Sequence, residues 1–276
     1  MKTQPFSWLA LPVLLLLGGC PEGGGGDGGF GNGGGISSRI AYVANSGSNN
    51  VSGYMIATTG ALTTIGGSPF SGVTAPSAVT VSANGSFVYV TNQGGANSVS
   101  AFTVNSTTGA LTPVAGSPFA AGTTPNAVTV SPNGNFLYIA NGGGNVSAYT
   151  ITAGTGVLTP VAGSPFAAGT TPNAVTVSPN GNFLYVTNGS SDNVSMFIID
   201  GTGALTSPAT IAAGTSPSGI SIEPNSLFLY VANGGGTVSA YTITVGTGAL
   251  TPVSGALGNP FPAGTTPSGI ATPGRP

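Results

Sequence analysis

The chain has 276 residues, 40% of them hydrophobic and only 3% charged, with 48 glycines and 22 prolines. Soluble domains are about a quarter charged, so Ser, Thr, Asn and exposed backbone must carry solvation here. Three Lys or Arg stand against five Asp or Glu and histidine is absent; with no cationic face for phosphates, nucleic acid is not an expected partner.

The N-terminus reads as an export signal. Met1 and Lys2 precede the apolar run Trp8 to Leu17, which leads into Gly18-Gly19-Cys20, the order of charged start, apolar stretch and small-residue cleavage site that secretion requires. The run is too short to cross a bilayer, which takes about 20 residues. Leu17-Gly18-Gly19-Cys20 resembles the bacterial lipobox, which implies that residues 1–19 are removed and that Cys20 becomes a lipidated first residue. The alternative is that Cys20 simply ends an ordinary signal peptide. Because Cys20 is the sole cysteine, its acylation leaves no thiol for a disulfide, metal or redox site. Two or more acyl chains anchor a protein stably to a membrane surface, so the expected address is the cell envelope, on the periplasmic or cell-surface side. Residues 20–35, the lipidated cysteine and a glycine-rich stretch, form a tether with an r.m.s. span on the order of 20 Å.

From residue 36 to residue 276 the sequence repeats. Units opened by proline run Pro76 to Thr124, Pro125 to Thr171, Pro172 to Ser216 and Pro217 to Thr266, and residues 111–138 and 158–185 are identical. Periods of this size mark propellers or solenoids. In one unit, Asn126 to Ser131 is short and rich in β-branched residues, and Pro132-Asn133-Gly134-Asn135 is a turn, because proline presets φ and Asn or Gly accept φ > 0. The apolar strand Phe136 to Ala140 follows, then a loop, the strand Val146 to Ile151 and a fourth strand from Val157 to Val161. No helical apolar period of useful length is present, so the class is all-β. A lone four-stranded meander cannot bury both faces, and radial stacking of such sheets gives a β-propeller. The segment from Ile36 to Val43 matches the start of strands two to four of a unit, and Pro267 to Thr272 matches strand one. The expectation is therefore five four-stranded blades, closed by a clasp of three N-terminal strands and one C-terminal strand, which would remove the open sheet edges.

Each unit carries a short motif: Tyr89-Val90-Thr91-Asn92 and Tyr185-Val186-Thr187-Asn188, with variants at Tyr42 to Asn45, Tyr138 to Asn141 and Tyr230 to Asn233. With the accompanying Val-Ser-Ala-Tyr and Thr-Gly-Ala-Leu-Thr segments, it resembles the YVTN-type β-propeller repeat family, similar to the 6-phosphogluconolactonase-like propellers. Those relatives usually have seven blades, whereas this chain supplies material for five. The resemblance implies His, Glu and Arg side chains lining a central channel, and this sequence does not supply them: it has no histidine, no lysine after Lys2 and no arginine between residues 40 and 274.

The remaining candidates are sparse. Asn45, Asn92, Asn141, Asn188 and Asn233 end the second strands; they either present amides to a neutral polar ligand or satisfy backbone groups of the loops that follow. Asp200 and Glu223 either pair across neighbouring blades, suited to acid–base work or a hard cation, or are solvated turn residues. Phe70, Phe119, Phe166 and Phe261 follow prolines between strands, as a recognition surface or as wedges between blades. No metal and no cofactor are expected. The reading favours a surface-tethered, non-enzymatic binding or structural module with a carbohydrate or protein ligand; a lactonase-like hydrolase acting on a sugar lactone is the alternative.

Overall fold

The computed structural model describes residues 39–95, 97–254 and 259–272; Cys20, the tether and Arg275 lie outside them. The described chain forms five antiparallel sheets. The first contains β1 (Arg39–Asn45), β2 (Asn50–Ile56) and β3 (Leu62–Thr64). The second contains β4 (Pro76–Val81), β5 (Phe87–Asn92), β6 (Ser98–Val104), β7 (Leu111–Pro113) and β8 (Phe119–Ala120). The third contains β9 (Pro125–Val130), β10 (Phe136–Asn141), β11 (Asn145–Ile151), β12 (Leu158–Pro160) and β13 (Phe166–Ala167). The fourth contains β14 (Pro172–Val177), β15 (Phe183–Asn188), β16 (Asn193–Ile199) and β17 (Leu205–Ala212). The fifth contains β18 (Pro217–Ile222), β19 (Phe228–Asn233), β20 (Thr237–Ile243), β21 (Leu250–Pro252) and β22 (Phe261–Pro262).

The all-β propeller architecture follows from local chemistry. In the turn between β9 and β10, Ser131 Oγ donates to Asn133 Oδ1 and accepts the Phe136 N–H, while Gly134 takes φ +74°. The hairpin so fixed sends Leu137 and Ile139 to one face of its sheet and Tyr138 and Ala140 to the other, all fully buried. Buried side chains of neighbouring sheets share each core: Tyr138 and Ala140 pack with Val175, Val177, Leu184 and Val186 of the fourth sheet. Both faces of the inner sheets are thus covered by their neighbours, which is why their second strands read as continuous apolar runs.

Two features depart from the sequence reading. The phenylalanines after proline do more than wedge between blades: Phe70, Phe119 and Phe166 reach the cores shared by neighbouring sheets, but Phe119 also pairs Val99, Phe166 pairs Val146 and Phe261 pairs Val238 along the outer edge of the third strand, and Phe70 bridges Val51. They prolong the fourth strand past a break, so three sheets have five short strands. In the fourth sheet, which lacks the Ser-Pro-Phe segment, β17 runs on as a single strand. The second departure is the clasp. Residues 267–272 lie against the fifth sheet, with Ser218 Oγ donating to Pro267 O at 2.9 Å and Thr272 N–H donating to Ser221 Oγ at 3.1 Å. They do not pair with β1, and the first sheet keeps three strands. Among the described residues no hydrogen bond joins the first sheet to the fifth. Among the described residues the stack is an open arc: shared cores join each sheet to the next, and none joins the fifth sheet to the first.

Candidate functional site

The asparagines that end the second strands gather on one rim of the arc, where the hairpins between strands two and three meet the segments leading into each first strand. Asn92, Asn141, Asn188 and Asn233 are buried. Their amides point into their own sheets: Asn141 Nδ2 donates to Asn145 Oδ1 and Ser147 Oγ, and Asn188 Nδ2 to Asn193 Oδ1 and Ser195 Oγ. Asn45, Asn92 and Asn233 make the same paired contacts. The side-chain carbonyls of Asn92 and Asn188 accept the N–H groups of Thr74 and Gly169 in the lead-in segments. The donor side of each amide is thus engaged within its own sheet, and Asn92 and Asn188 act as loop supports as well, whereas the side-chain carbonyls of Asn141 and Asn233 are buried without a hydrogen-bond partner. Asn188→Ala is accordingly expected to cost about 2 kcal/mol of stability by stranding Ser195 and the Gly169 N–H, measured by urea unfolding.

The lead-in segments themselves form the exposed part of this rim. Each ends in a residue with positive φ placed directly before the unit's proline: Ala75 at 43°, Thr124 at 55°, Thr171 at 57°, Ser216 at 54° and Thr266 at 48°. A non-glycine residue in this region is strained, and a following proline disfavours helical backbone before it. The conformation is held by paired backbone bonds: Gly142 and Gly143 donate to Thr124 O and Thr123 O, and Gly234 and Gly235 to Ser216 O and Thr215 O. Four turns built the same way leave Thr123, Thr124, Thr170, Thr215 and Ser216 exposed or nearly so. Strain maintained in register along one rim is where a functional surface is sought.

The role of Thr in the repeated motif also becomes visible. A bulge after Pro76 and after Pro172 frees one N–H, and Thr91 Oγ1 and Thr187 Oγ1 accept it from Ala78 and Ala174, each at 3.0 Å. Further inward, Ser77, Asn126, Asn173 and Ser218 each donate to the carbonyl of the next unit's opening proline. This ladder was not anticipated from sequence, although its signal is there: a polar residue follows each of those prolines.

The two candidate carboxylates do not meet. Asp200 is exposed and caps its own turn, accepting from the Thr202 hydroxyl and the N–H groups of Thr202 and Ala204. These bonds, the Thr202 hydroxyl foremost, hold its carboxyl below the ordinary aspartate range. Glu223 instead accepts from Tyr230 in its own sheet at 3.2 Å. Asp192 accepts the Ser216 N–H at 2.7 Å and stabilises a lead-in segment. On the opposite rim, an open cleft of about 460 Å³ lies between the second and third sheets, flanked by Ser82, Asn84, Phe87, Asn133 and Asn135. Among the described residues no three His, Cys, Asp or Glu side chains come together as a metal cluster.

The family described as lactonase, seven-bladed β-propeller, matches residues 35–166 and 160–263. No curated protein matches the chain in sequence. Among solved structures, a functionally unknown protein from Desulfotomaculum acetoxidans is 18% identical with a TM-score of 0.68, over 78% of this chain and 65% of that one. The periplasmic gluconolactonase of Pseudomonas aeruginosa is 19% identical with a TM-score of 0.64, over 83% of this chain and 68% of its own. An auxiliary nutrient binding protein from Bacteroides thetaiotaomicron is 17% identical with a TM-score of 0.54, over 81% and 61%. The chain thus spans about two thirds of the length of these structures.

Proposed function

Because the chain belongs to the seven-bladed β-propeller lactonase family, we propose that it is an exported, membrane-anchored propeller that uses this scaffold to bind a neutral polar ligand rather than to hydrolyse a lactone. The observation that carries the reading is the state of its ionisable groups. The described acids are Asp192, Asp200 and Glu223, and each is engaged by a turn or a tyrosine of its own surroundings. Lactone hydrolysis needs a positioned acid–base group and a stabiliser for the oxyanion. Asp200, held below the ordinary range, has no proton to give near neutrality, and the sequence offers no histidine to replace it. The rim hydroxyls and peptide groups, in contrast, provide uncharged donors and acceptors of the kind that orient saccharides. Use of a similar fold by a nutrient binding protein supports such a role.

The purified full-length protein is expected to show no turnover on a panel of aldonolactones and phosphorylated sugar lactones, and saturable binding on a glycan array. The hydrolase alternative draws on the family match and on the gluconolactonase neighbour. It requires turnover that disappears in an Asp200→Ala, Glu223→Ala double variant, and that result would displace the binding reading. Anchoring through Cys20 is tested separately: a fatty-acid label should enter the wild-type protein in bacterial cells and be lost from Cys20→Ala.

A further inference from the structure

The rim opposite the asparagines is made of the turns between strands one and two and between strands three and four, and the stacking of the sheets fixes it. A tyrosine hydroxyl of each of the first four sheets donates to a glycine carbonyl in the turn after the third strand of the next: Tyr42 to Gly109 at 2.5 Å, Tyr89 to Gly156 at 3.2 Å, Tyr138 to Gly203 at 3.1 Å and Tyr185 to Gly248 at 2.7 Å. The last of these bonds pins the turn that carries Val245 to the fourth sheet.

On the fifth sheet this rim is apolar. Leu227 and Val245 are 43% and 80% exposed. The Leu227 carbonyl accepts the Ile243 N–H, a bond that Ser86, Asn135 and Asn182 make to the same position of the three sheets before it. Val245 follows Thr244, whose N–H closes the turn onto Ala249, and the residues in that place are Ser106, Ala153 and Gly201 in those sheets. Polar or small side chains thus give way to two branched apolar ones on neighbouring turns. Pro132, Pro179 and Pro224, which open turns between strands one and two, are exposed along the same rim. Leu62 also lies on it, but is exposed because no described sheet precedes the first. The asparagine rim has the opposite character, with Thr123, Thr170, Ser190 and Thr215 exposed.

The chain enters the fold from the apolar rim. Arg39 opens β1 opposite Ile56, the last residue of β2, and β1 then runs to Asn45 on the asparagine rim. Residues 20–38 therefore connect Cys20 to the sheets at the apolar side. A glycine-rich coil of that length spans on the order of 20 Å, about the length of the seven-residue β1 at roughly 3.3 Å per residue. To bring the asparagine rim to a membrane, the tether must run the full height of the sheets; the apolar rim reaches it without that detour.

Resting on the reading that Cys20 is lipidated, we propose that the apolar rim docks on the lipid surface, with Leu227 and Val245 inserted at the boundary between headgroups and acyl chains and the strained lead-in segments facing away from the membrane. The anchor is one membrane signal and the apolar turns are a second. The described charged groups on this rim are Arg39, Asp200 and Glu223, so the contact is apolar rather than electrostatic and is insensitive to salt. The orientation leaves the hydroxyl-rich rim open to a polar ligand.

Full-length protein purified from bacterial membranes and placed in phosphatidylcholine vesicles with brominated acyl chains tests the orientation. One variant carries Val245→Trp and another Ser190→Trp, on the two rims; both positions are exposed, so neither change disturbs a core. Brominated lipid is expected to quench the Val245→Trp fluorescence about twofold and to leave Ser190→Trp unchanged. Adding Leu227→Asp to Val245→Trp should largely abolish the quenching, whereas high salt should not. Equal quenching on the two rims, or none at Val245→Trp in protein that carries the fatty-acid label, overturns the docking and leaves the anchor standing. Absence of the label at Cys20 overturns the anchor, and the docking with it.

Discussion

Above about pH 10 the propeller is expected to lose its fold over a narrow range, after showing a level melting temperature between about pH 5 and pH 9. Tyr42, Tyr89, Tyr138, Tyr149, Tyr185 and Tyr241 are all buried, and burial pushes each phenol above its ordinary value; at Tyr138 the charge of Asp200 adds to the effect. The sign follows from the neutral form being the protonated one. The folded chain keeps these protons where the unfolded chain releases them, so the contribution is whole below the unfolded tyrosine value near 10 and is lost as pH climbs toward the raised folded values. Each group changes stability by about 1.4 kcal/mol per pH unit, and six together by on the order of 8. Against a total of about 5–15 kcal/mol, this consumes the margin within one or two units. At lower pH few groups change protonation, since the described chain holds three carboxylates and histidine is absent. Circular dichroism melts across pH, followed with tyrosinate absorbance, provide the check. Ionisation and unfolding should coincide, and tyrosines that titrate gradually in a folded protein would contradict the account. Tyr138→Phe should remove about one sixth of the slope above pH 10.

The same tyrosines show how much could be read from the chain. Period, turn chemistry and β-branched patterning were enough to place the strands of each unit and the propeller class, because those signals are local. Ser131 and Gly134 declare their hairpin within five residues. The outcome at the ends was not legible. Pro267 to Thr272 has the composition of a first strand and lies beside β18 where the first strand of a following sheet would stand, yet which partner it completes depends on the angle between blades. That angle is set by Tyr–Gly contacts more than 60 residues apart in sequence. The asparagines were recognised as a set, but whether their amides face solvent or their own third strands depends on Ser100, Ser147, Ser195 and Ser239, which sit on the adjacent strand. The acids were placed in turns correctly; a pairing between Asp200 and Glu223 failed because Asp200 lies toward Tyr138 of the preceding sheet while Glu223 is held by Tyr230.

Gly203→Ala is expected to lower stability by about 3 kcal/mol, and Gly134→Ala by about 1. Both glycines have positive φ, at 85° and 74°, so both substitutions carry the left-handed penalty, roughly 1–2 kcal/mol. Only the first also collides with a neighbour. Its Cβ would fall 2.3 Å from Cδ1 of Phe136, a ring atom near its own backbone that cannot swing clear, whereas Gly134 meets nothing within 4 Å. Relief requires the turn to withdraw from Phe136, which stretches the Tyr138 bond to Gly203 O and opens the contact between the third and fourth sheets. For a chain of this size the difference corresponds to a melting temperature lowered by roughly 10 °C for Gly203→Ala and about 3 °C for Gly134→Ala. Hydrogen exchange locates the damage. In stacked repeats stability is close to a sum of unit and neighbour-interface contributions, so protection should fall first in β10 and β16, on either side of the disturbed contact, and persist in β5. Equal melting temperatures for the two variants would mean that the bond from Tyr138 to Gly203 O does not hold the third and fourth sheets together.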